Sequence, residues 1–548
     1  MRDFSQSSHV VQFMTLRGVN AAQIGHGRHW RCQRGFSMEQ AETIKFLSNG
    51  HAFAADAPVE VIETHGAYVF LCGDTALKLK RAVKYDYMDL STVELRRSLI
   101  ARELELNRLA APEIYRDMLP VTQSETGLAL NGDGPVVDWV LRMWRFPAEN
   151  ELESIAESGA LDDRLATAVG EAIAHYHAAA PVMQCPGRNL IADILAELGR
   201  VFAEFPGAAG TARVAEWEQA AAAILETNGP LLDNRGRNGH VRRAHGDLHL
   251  RNLVVIDERP VLYDALEFDE TLGTCDVFYD IAFLVMDLCH RDLRRQGCRV
   301  LDAWLRAARK NEDSGLATLP LFLSVRAAIR AMVLLQTDRA REQSGKSGLE
   351  VAAYLELACA ALQPEAPQLI AVGGYSGSGK SVLARALTPM LGALPGAALL
   401  SSDLERKAGL PAGTRLGPGA YAAERREDVY RNLFARAATM LAAGHSVVFD
   451  ATFVDPQLRA AAEDVAARAD VPFHGLWLEA PEHVLQERLR SRQGDPSDAD
   501  IDVLKRQLTA CRGEMTWLHI DASGDPRSVL AEAMTTLVAN MAHDPSGV

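Results

Sequence analysis

At 548 residues, the chain is long enough for two or three domains of ~100–200 residues, each with its own core. Its 48% hydrophobic and 24% charged residues exclude a disordered chain, and no apolar run of membrane-spanning length occurs. A formal net charge of −15 disfavours a broad nucleic-acid surface while leaving room for a local basic groove. Its 8 cysteines never fall in C-x-x-C spacing, which argues against metal knuckles or a disulfide framework and for reduced, cytoplasmic thiols.

In chain order, Met1 to Phe36 lacks the apolar core of a signal peptide and shows no period, so residues 1–38 are expected to be a disordered extension. Met38 precedes the helix-like run EQAETIKFL and is a candidate start of translation. Strand patterns follow (VEVIE, AYVFLC, TALKLK), then long helical stretches such as LDDRLATAVGEAIAHYHAAA. That order predicts a small sheet lobe followed by a helical lobe. In TALKLK, Lys78 and Lys80 share one face of a strand, and Leu77 and Leu79 the other.

Two prolines in ALQPEAPQL interrupt an alanine-rich helical pattern at residues 361–369. This predicts a domain over 39–360, a linker over 361–368 and a second domain over 369–548. Cleavage near Glu365 is expected to leave two independently stable halves. Beyond the linker, strands and helices alternate from LIAVGG through AALLSS and HSVVFDATF to FHGLWLEA, predicting a parallel sheet with helices on both faces. No internal repeat or low-complexity tract is present.

In LIAVGGYSGSGKS an apolar strand runs into G-x-x-x-x-G-K-S. Glycines at 374, 377 and 379 let the backbone amides, including those of Ser376 and Ser378, curl around phosphate oxygens, and the helix that follows offers its positive N-terminus. Lys380 is expected to neutralise the β and γ phosphates of ATP, and Ser381 to reach Mg²⁺. The Gly-Lys-Ser in QSGKSG at 343–348 follows a charged segment instead of a strand and reads as a surface loop.

Two further features point to group transfer. In SSDLERK, Asp403 and Arg406 lie three apart on the first turn of a helix. The carboxylate can accept a hydroxyl proton, and the guanidinium can hold a phosphate or that carboxylate; an Asp there is also a common N-cap. In ERLRSRQGDPSDAD, Arg488 and Arg492 have the i, i+4 spacing of a lid that turns cations onto a transferring phosphate, or of a solvated charged face. Asp450 ends the strand SVVFD, where it can serve Mg²⁺ or a substrate hydroxyl. From roughly Leu369 to Leu508 the chain resembles the P-loop kinase group that includes gluconate kinase, the zeta toxins and the 5′-kinase of polynucleotide kinase.

Upstream, HGDLHLRN resembles the catalytic loop of aminoglycoside phosphotransferases and related kinase-like enzymes, and the resemblance extends over approximately Ala41 to Ala360. It implies that Asp247 orients or deprotonates the acceptor hydroxyl, that Asn252 binds Mg²⁺, and that Asp264, twelve residues on in VLYDALEFD, is the second metal carboxylate. Asp-Ala-Leu stands where protein kinases have Asp-Phe-Gly, and Glu267 either joins the ligand set or forms a salt bridge. CDVFYDIAFLVMDL resembles the helix after the metal site, with Asp280 as an anchor of the catalytic loop. One of Lys78 and Lys80 is expected to contact the α and β phosphates with Glu103 as its partner, leaving the other lysine exposed. Met143 in WVLRMWRF reads as the hinge beside the adenine. A glycine-rich loop is nearly absent, with only Gly66 in ETHGAYVF.

These readings predict an α+β bilobal kinase-like fold followed by an α/β P-loop fold, and a bifunctional kinase moving the γ-phosphate of ATP, with Mg²⁺, to hydroxyls of small molecules. The rivals are a P-loop domain that hydrolyses ATP as a regulatory switch and a nucleic-acid 5′-end kinase, the latter disfavoured by charge. No membrane partner is expected. The acceptors, the choice of ATP over GTP and the oligomeric state stay open.

Overall fold

The computed structural model describes residues 38–53, 57–64, 66–85, 88–308, 312–341, 345–410, 414, 423–491, 500–510 and 512–543. The expected extension before Met38 and the lid residue Arg492 lie outside them. The helix expected after Met38 spans Met38–Leu47.

By contact the chain separates into two compact units, neither continuous in sequence. The first takes the residues up to Asp162, Ala179–Asp287 and Leu321–Ala360; the second takes Asp163–Ala178, Leu288–Pro320 and the chain from Ala361 onward. The linker itself is visible locally, as helix Gly348–Ala361 stops and strand Leu369–Gly374 begins across Pro364 and Pro367. Two stretches upstream of it nevertheless fold with the downstream half.

In the first unit, six antiparallel strands lie in the spatial order Glu60–Glu63, Ala67–Cys72, Thr75–Lys80, Val136–Trp144, Tyr115–Ser124, Gly127–Leu130. The period-2 alternation of TALKLK sorts its side chains to two faces. Leu77 and Leu79 pack with Phe70, Val121 and Val140 on one. Lys78 and Lys80 lie on the other, where Lys78 is registered opposite Leu141. Leu141 packs against Ile100 of the helix Val93–Arg108. Thr92 starts that helix by accepting a hydrogen bond from Leu95 N at 3.3 Å, and a bidentate pair from Arg96 to Asp138 fastens it to the sheet at 2.9 Å. Most of helix Val277–His290 and most of helix Leu319–Ala340 fill the helical body. Contrary to the sequence reading of no run of membrane-spanning length, the stretch Asp313–Arg339 is long and apolar enough to cross a bilayer, but 83% of its most apolar part is buried in the protein, as for a core helix.

The second unit is built on five parallel strands in the order Ala398–Ser401, Val447–Asp450, Leu369–Gly374, Phe473–Glu479, Leu518–Asp521. The central strand LIAVGG is buried along its whole length, which its continuous apolar run requires. Helices Lys380–Leu387 and Pro526–His543 cover one face through Leu383, Leu387, Ala533 and Leu537. On the other, Tyr430, Phe434, Phe449, Phe453 and Trp517 form a chain of ring contacts. With every strand parallel, the carboxyl ends converge on one edge, where α/β sheets bind their ligands.

Candidate active sites

In the first unit the helix Val93–Arg108 and the loop after strand Arg259–Leu262 meet on the lysine face of the sheet. Lys78 Nζ contacts Glu103 Oε1 at 2.5 Å and Asp264 Oδ1 at 3.0 Å. Lys80 Nζ contacts the other Glu103 oxygen at 2.5 Å and pairs with Glu267. The result is a buried chain, Asp264–Lys78–Glu103–Lys80–Glu267. The expectation of one exposed lysine is therefore corrected, since Lys78 is 5% and Lys80 2% exposed. A helix carboxylate midway between two lysines holds both, and a buried ammonium without a partner would be too costly. Glu267 forms the salt bridge of the two roles open to it.

The catalytic-loop segment is fixed from beneath. Asp280, fully buried, accepts from His245 N at 3.0 Å and Gly246 N at 2.9 Å, the anchoring expected of it. Asp287 accepts from Leu250 N at 3.2 Å. Asn252 Nδ2 donates to the Asp247 carbonyl at 2.7 Å and to Asp247 Oδ2 at 3.1 Å, so the short loop brings Asp247 and Asn252 side by side. Complete burial pushes the His245 imidazole below its usual pKa, against the pull of Asp280 and Asp247, and its ring meets the Tyr263 carbonyl at 3.0 Å. Asp264 takes a left-handed φ of 62°. That region is uncommon for a non-glycine residue, though Asp is among those that tolerate it. Here its amide donates to Tyr115 Oη at 3.0 Å, the next amide to Asn107 Oδ1 at 2.8 Å, and Leu266 N to the His245 carbonyl at 2.9 Å. Met143 lies near the end of its strand, opposite Ala76 and Tyr115, half-buried against the Ile100 cluster. Gly66 closes the turn between two strands, its carbonyl accepting from Arg81 N at 2.9 Å.

In the second unit, φ is 143° at Gly374 and 86° at Gly377. A Cβ would stand 2.8 Å from the Leu478 carbonyl oxygen at the first and 2.6 Å from that of Leu485 at the second, so glycine is required for both backbone shape and space. Gly379 is the residue before helix Lys380–Leu387, and Ser376 and Ser378 are buried. Lys380 Nζ donates to the Tyr375 carbonyl at 2.9 Å, folding back over the loop. Asp450 ends its strand opposite Val372 and Ser401, and Ser401 Oγ donates to it at 3.0 Å. Burial raises its carboxyl above the usual range, opposed by Lys380 and by a hydrogen bond with Ser381. The fold thus gathers Lys380, Ser381 and Asp450 at one strand edge.

Asp403 and Arg406 pair at 2.6 Å within helix Ser402–Arg406. Ser401 occupies the N-cap position, so Asp403 is not the cap. Arg488 departs from the lid expectation: it donates to the carbonyls of Ala522 at 2.7 Å and Gly524 at 3.0 Å, bracing the turn after the last strand. In QSGKSG, Ser347 binds Asp338 through its amide at 2.7 Å and its hydroxyl at 2.9 Å. The six cysteines among the described residues are free thiols.

Several contributors escaped the sequence reading. Gln507 Oε1 accepts from Ser376 N at 2.8 Å, and Arg512 bonds Glu479 at 2.8 Å and the Tyr375 side chain. Neither carries a motif. Asn107 follows Glu103 by one helical turn, a spacing that places both on one face and would have pointed to it.

Among the described residues no group of three or more His, Cys, Asp or Glu is arranged to hold a metal. Mg²⁺ suits these sites regardless, since it takes one or two protein oxygens and completes its shell with phosphates and water. Asn252 with Asp264, and Ser381 with Asp450, are sets of that hard-oxygen kind.

Residues 67–316 match the phosphotransferase enzyme family, and residues 369–513 match the AAA domain. The chain is a fusion of a kinase-like phosphotransferase-family domain with a P-loop domain, two families of nucleotide-binding transferases and kinases. An uncharacterized protein of Mycobacterium tuberculosis (strain ATCC 25618 / H37Rv) is 28% identical over 502 residues, 88% of this chain and 96% of its own. A gluconokinase structure from Sinorhizobium meliloti 1021 is 22% identical, covering 33% of this chain and 98% of that one with a TM-score of 0.25. A choline/ethanolamine kinase family protein from Mesorhizobium loti is 16% identical, covering 59% and 99%, with a TM-score of 0.33.

Proposed function

We propose that the chain is a bifunctional ATP-dependent phosphotransferase, each half moving the γ-phosphate of ATP to a hydroxyl of a small molecule. The observation that carries this reading is the recurrence in both halves of the same three parts. Upstream these are a carboxylate (Asp247), a lysine (Lys78) and hard oxygens (Asn252, Asp264). Downstream they are Asp403, Lys380, and Ser381 with Asp450. Phosphoryl transfer needs little more than positioning and charge compensation, and these parts supply both.

In this reading Asp247 and Asp403 face the acceptor and take up or orient its hydroxyl proton. Lys78 and Lys380 carry positive charge to the phosphates, Lys80 sets Glu103 from its other side, and Met143 borders the adenine. Arg406 holds Asp403 until an anionic group competes for it. Mg²⁺, when bound, would neutralise charge developing on the phosphate oxygens.

The test is a screen of small hydroxyl compounds for ATP-dependent phosphorylation, run on the full chain with Asp247→Ala or Lys380→Ala silencing one site at a time. Each single variant should keep one product class and lose the other. Within the downstream site, Asp403→Asn should slow transfer by ~10²–10⁴-fold with ATP affinity retained, whereas Lys380→Ala should weaken ATP binding. Hydrolysis of ATP with no phosphorylated product from either site would overturn the reading.

A further inference from the structure

Within the second compact unit, the strand Ala398–Ser401 and the short helix Ser402–Arg406 that carries Asp403 are held by residues lying upstream of the linker. The strand is at the edge of the five-stranded sheet, where unpaired amides face outward. Leu399 N finds its acceptor in Asp302 Oδ1 at 2.9 Å, on helix Arg294–Ala308. Arg299 of the same helix donates to the Arg385 carbonyl and lies 3.4 Å from Thr388 Oγ1, at the far end of the helix that begins with Lys380. Asp313 receives a two-pronged bond from Arg436, Nε to Oδ2 and Nη2 to Oδ1, both 2.8 Å. The pair is almost fully buried, at 7% and 2% side-chain exposure. The remaining Arg436 nitrogen, Nη1, reaches Glu405 Oε2 at 3.4 Å, and Glu405 sits between Asp403 and Arg406.

We infer that Asp313 is a positioning residue of the P-loop site, acting through Arg436 and Glu405 on the helix that presents Asp403 and Arg406. Helix Arg294–Ala308 and Asp313, both from the upstream half, thereby complete the downstream half's acceptor side. This rests on the reading of Asp403 as the acceptor-side carboxylate.

A buried guanidinium fork has one good geometry, because both of its bonds must lie in the carboxylate plane. Fixing Arg436 by Asp313 therefore fixes where its third nitrogen can meet Glu405. A helix of five residues has too few internal hydrogen bonds to hold its own direction, so its placement depends on such outside contacts. A displacement of about 1 Å at a reacting group can cost ~10²-fold in rate. Fusion of the two halves follows physically: separated at the linker, the P-loop half would lose the acceptors for Leu399 and Arg436 together.

The test uses the full chain carrying Asp247→Ala, with ATP as ligand and water as the acceptor. In Asp313→Asn, ATP affinity by calorimetry should stay within about threefold, while kcat for hydrolysis falls by ~10–100-fold. Amide exchange should quicken across 401–407 and stay unchanged across 369–374. Glu405→Gln combined with Asp313→Asn should be no worse than the poorer single variant, as expected of residues acting in series. Exchange at 401–407 equal to the parent's would overturn the inference whatever Asp403 does, and so would additive losses in kcat. Faster exchange at 401–407 with hydrolysis insensitive to both Asp313→Asn and Asp403→Asn would keep the positioning and refute the assignment of Asp403 instead. Should Asp313→Asn not fold, Arg436→Lys, which removes the fork but keeps a charge, takes its place in each measurement, with the same results supporting or overturning the inference.

Discussion

Replacing Asp302 by asparagine should remove a pH dependence of stability whose size follows from its surroundings. Burial pushes the Asp302 carboxyl up to about 6 from 3.8, against the pull of Arg299, the amide of Leu399 and the charges of Arg306 and Arg436. The folded protein therefore keeps a proton that the unfolded chain releases at a lower pH. The stability this contributes is complete below about pH 3.8 and is lost as the pH rises through about 6. At about 1.4 kcal/mol per pH unit, the interval amounts to roughly 3 kcal/mol, or ~6–12 °C in Tm for a unit of this size. Asparagine keeps an oxygen for the Leu399 amide and titrates nothing. Thermal melts from pH 4 to 7, followed through the buried Trp304 and Trp477, should show the parent losing about that much relative to Asp302→Asn. Parallel curves for the two proteins would refute the reasoning.

Gly377→Ala should cost the P-loop about 1–3 kcal/mol of strain, because its φ is 86° and a Cβ would stand 2.6 Å from a backbone oxygen; calorimetry should find ATP affinity at that site reduced at least ~10-fold. Asp280→Ala strands two buried amides and leaves Arg326, 3.9 Å away, without that carboxylate, so urea unfolding of the upstream half should show a loss of about 3–5 kcal/mol. A fragment beginning at Ala361 lacks Asp302 and Asp313, and its circular-dichroism melt should be broad or its solubility poor. A sharp cooperative melt near that of the full chain would show the edge contacts to be dispensable.

Wherever its cause was local in the chain, the site could be read from sequence. LIAVGGYSGSGKS is a strand, a glycine turn and a helix in succession, so its geometry is settled by residues that adjoin one another. HGDLHLRN likewise sets Asp247 beside Asn252 within one loop, and the alternation in TALKLK put Lys78 and Lys80 on a common face. Which partners that face would meet was decided by the tertiary structure. Asp264 and Glu267 reach the lysines from 186 and 187 residues away, and two cations buried together demanded carboxylates for both, so neither lysine could be the exposed one. Arg488 shows the reverse case: its helical spacing was legible, but the carbonyls of 522–524 claimed it once the last strand was in place. The prolines of 361–368 marked a change of local pattern, which sequence can show. That Asp302 and Asp313 belong with the sheet beyond them follows from an edge strand and a buried arginine needing acceptors, a requirement that exists only when the chain is packed.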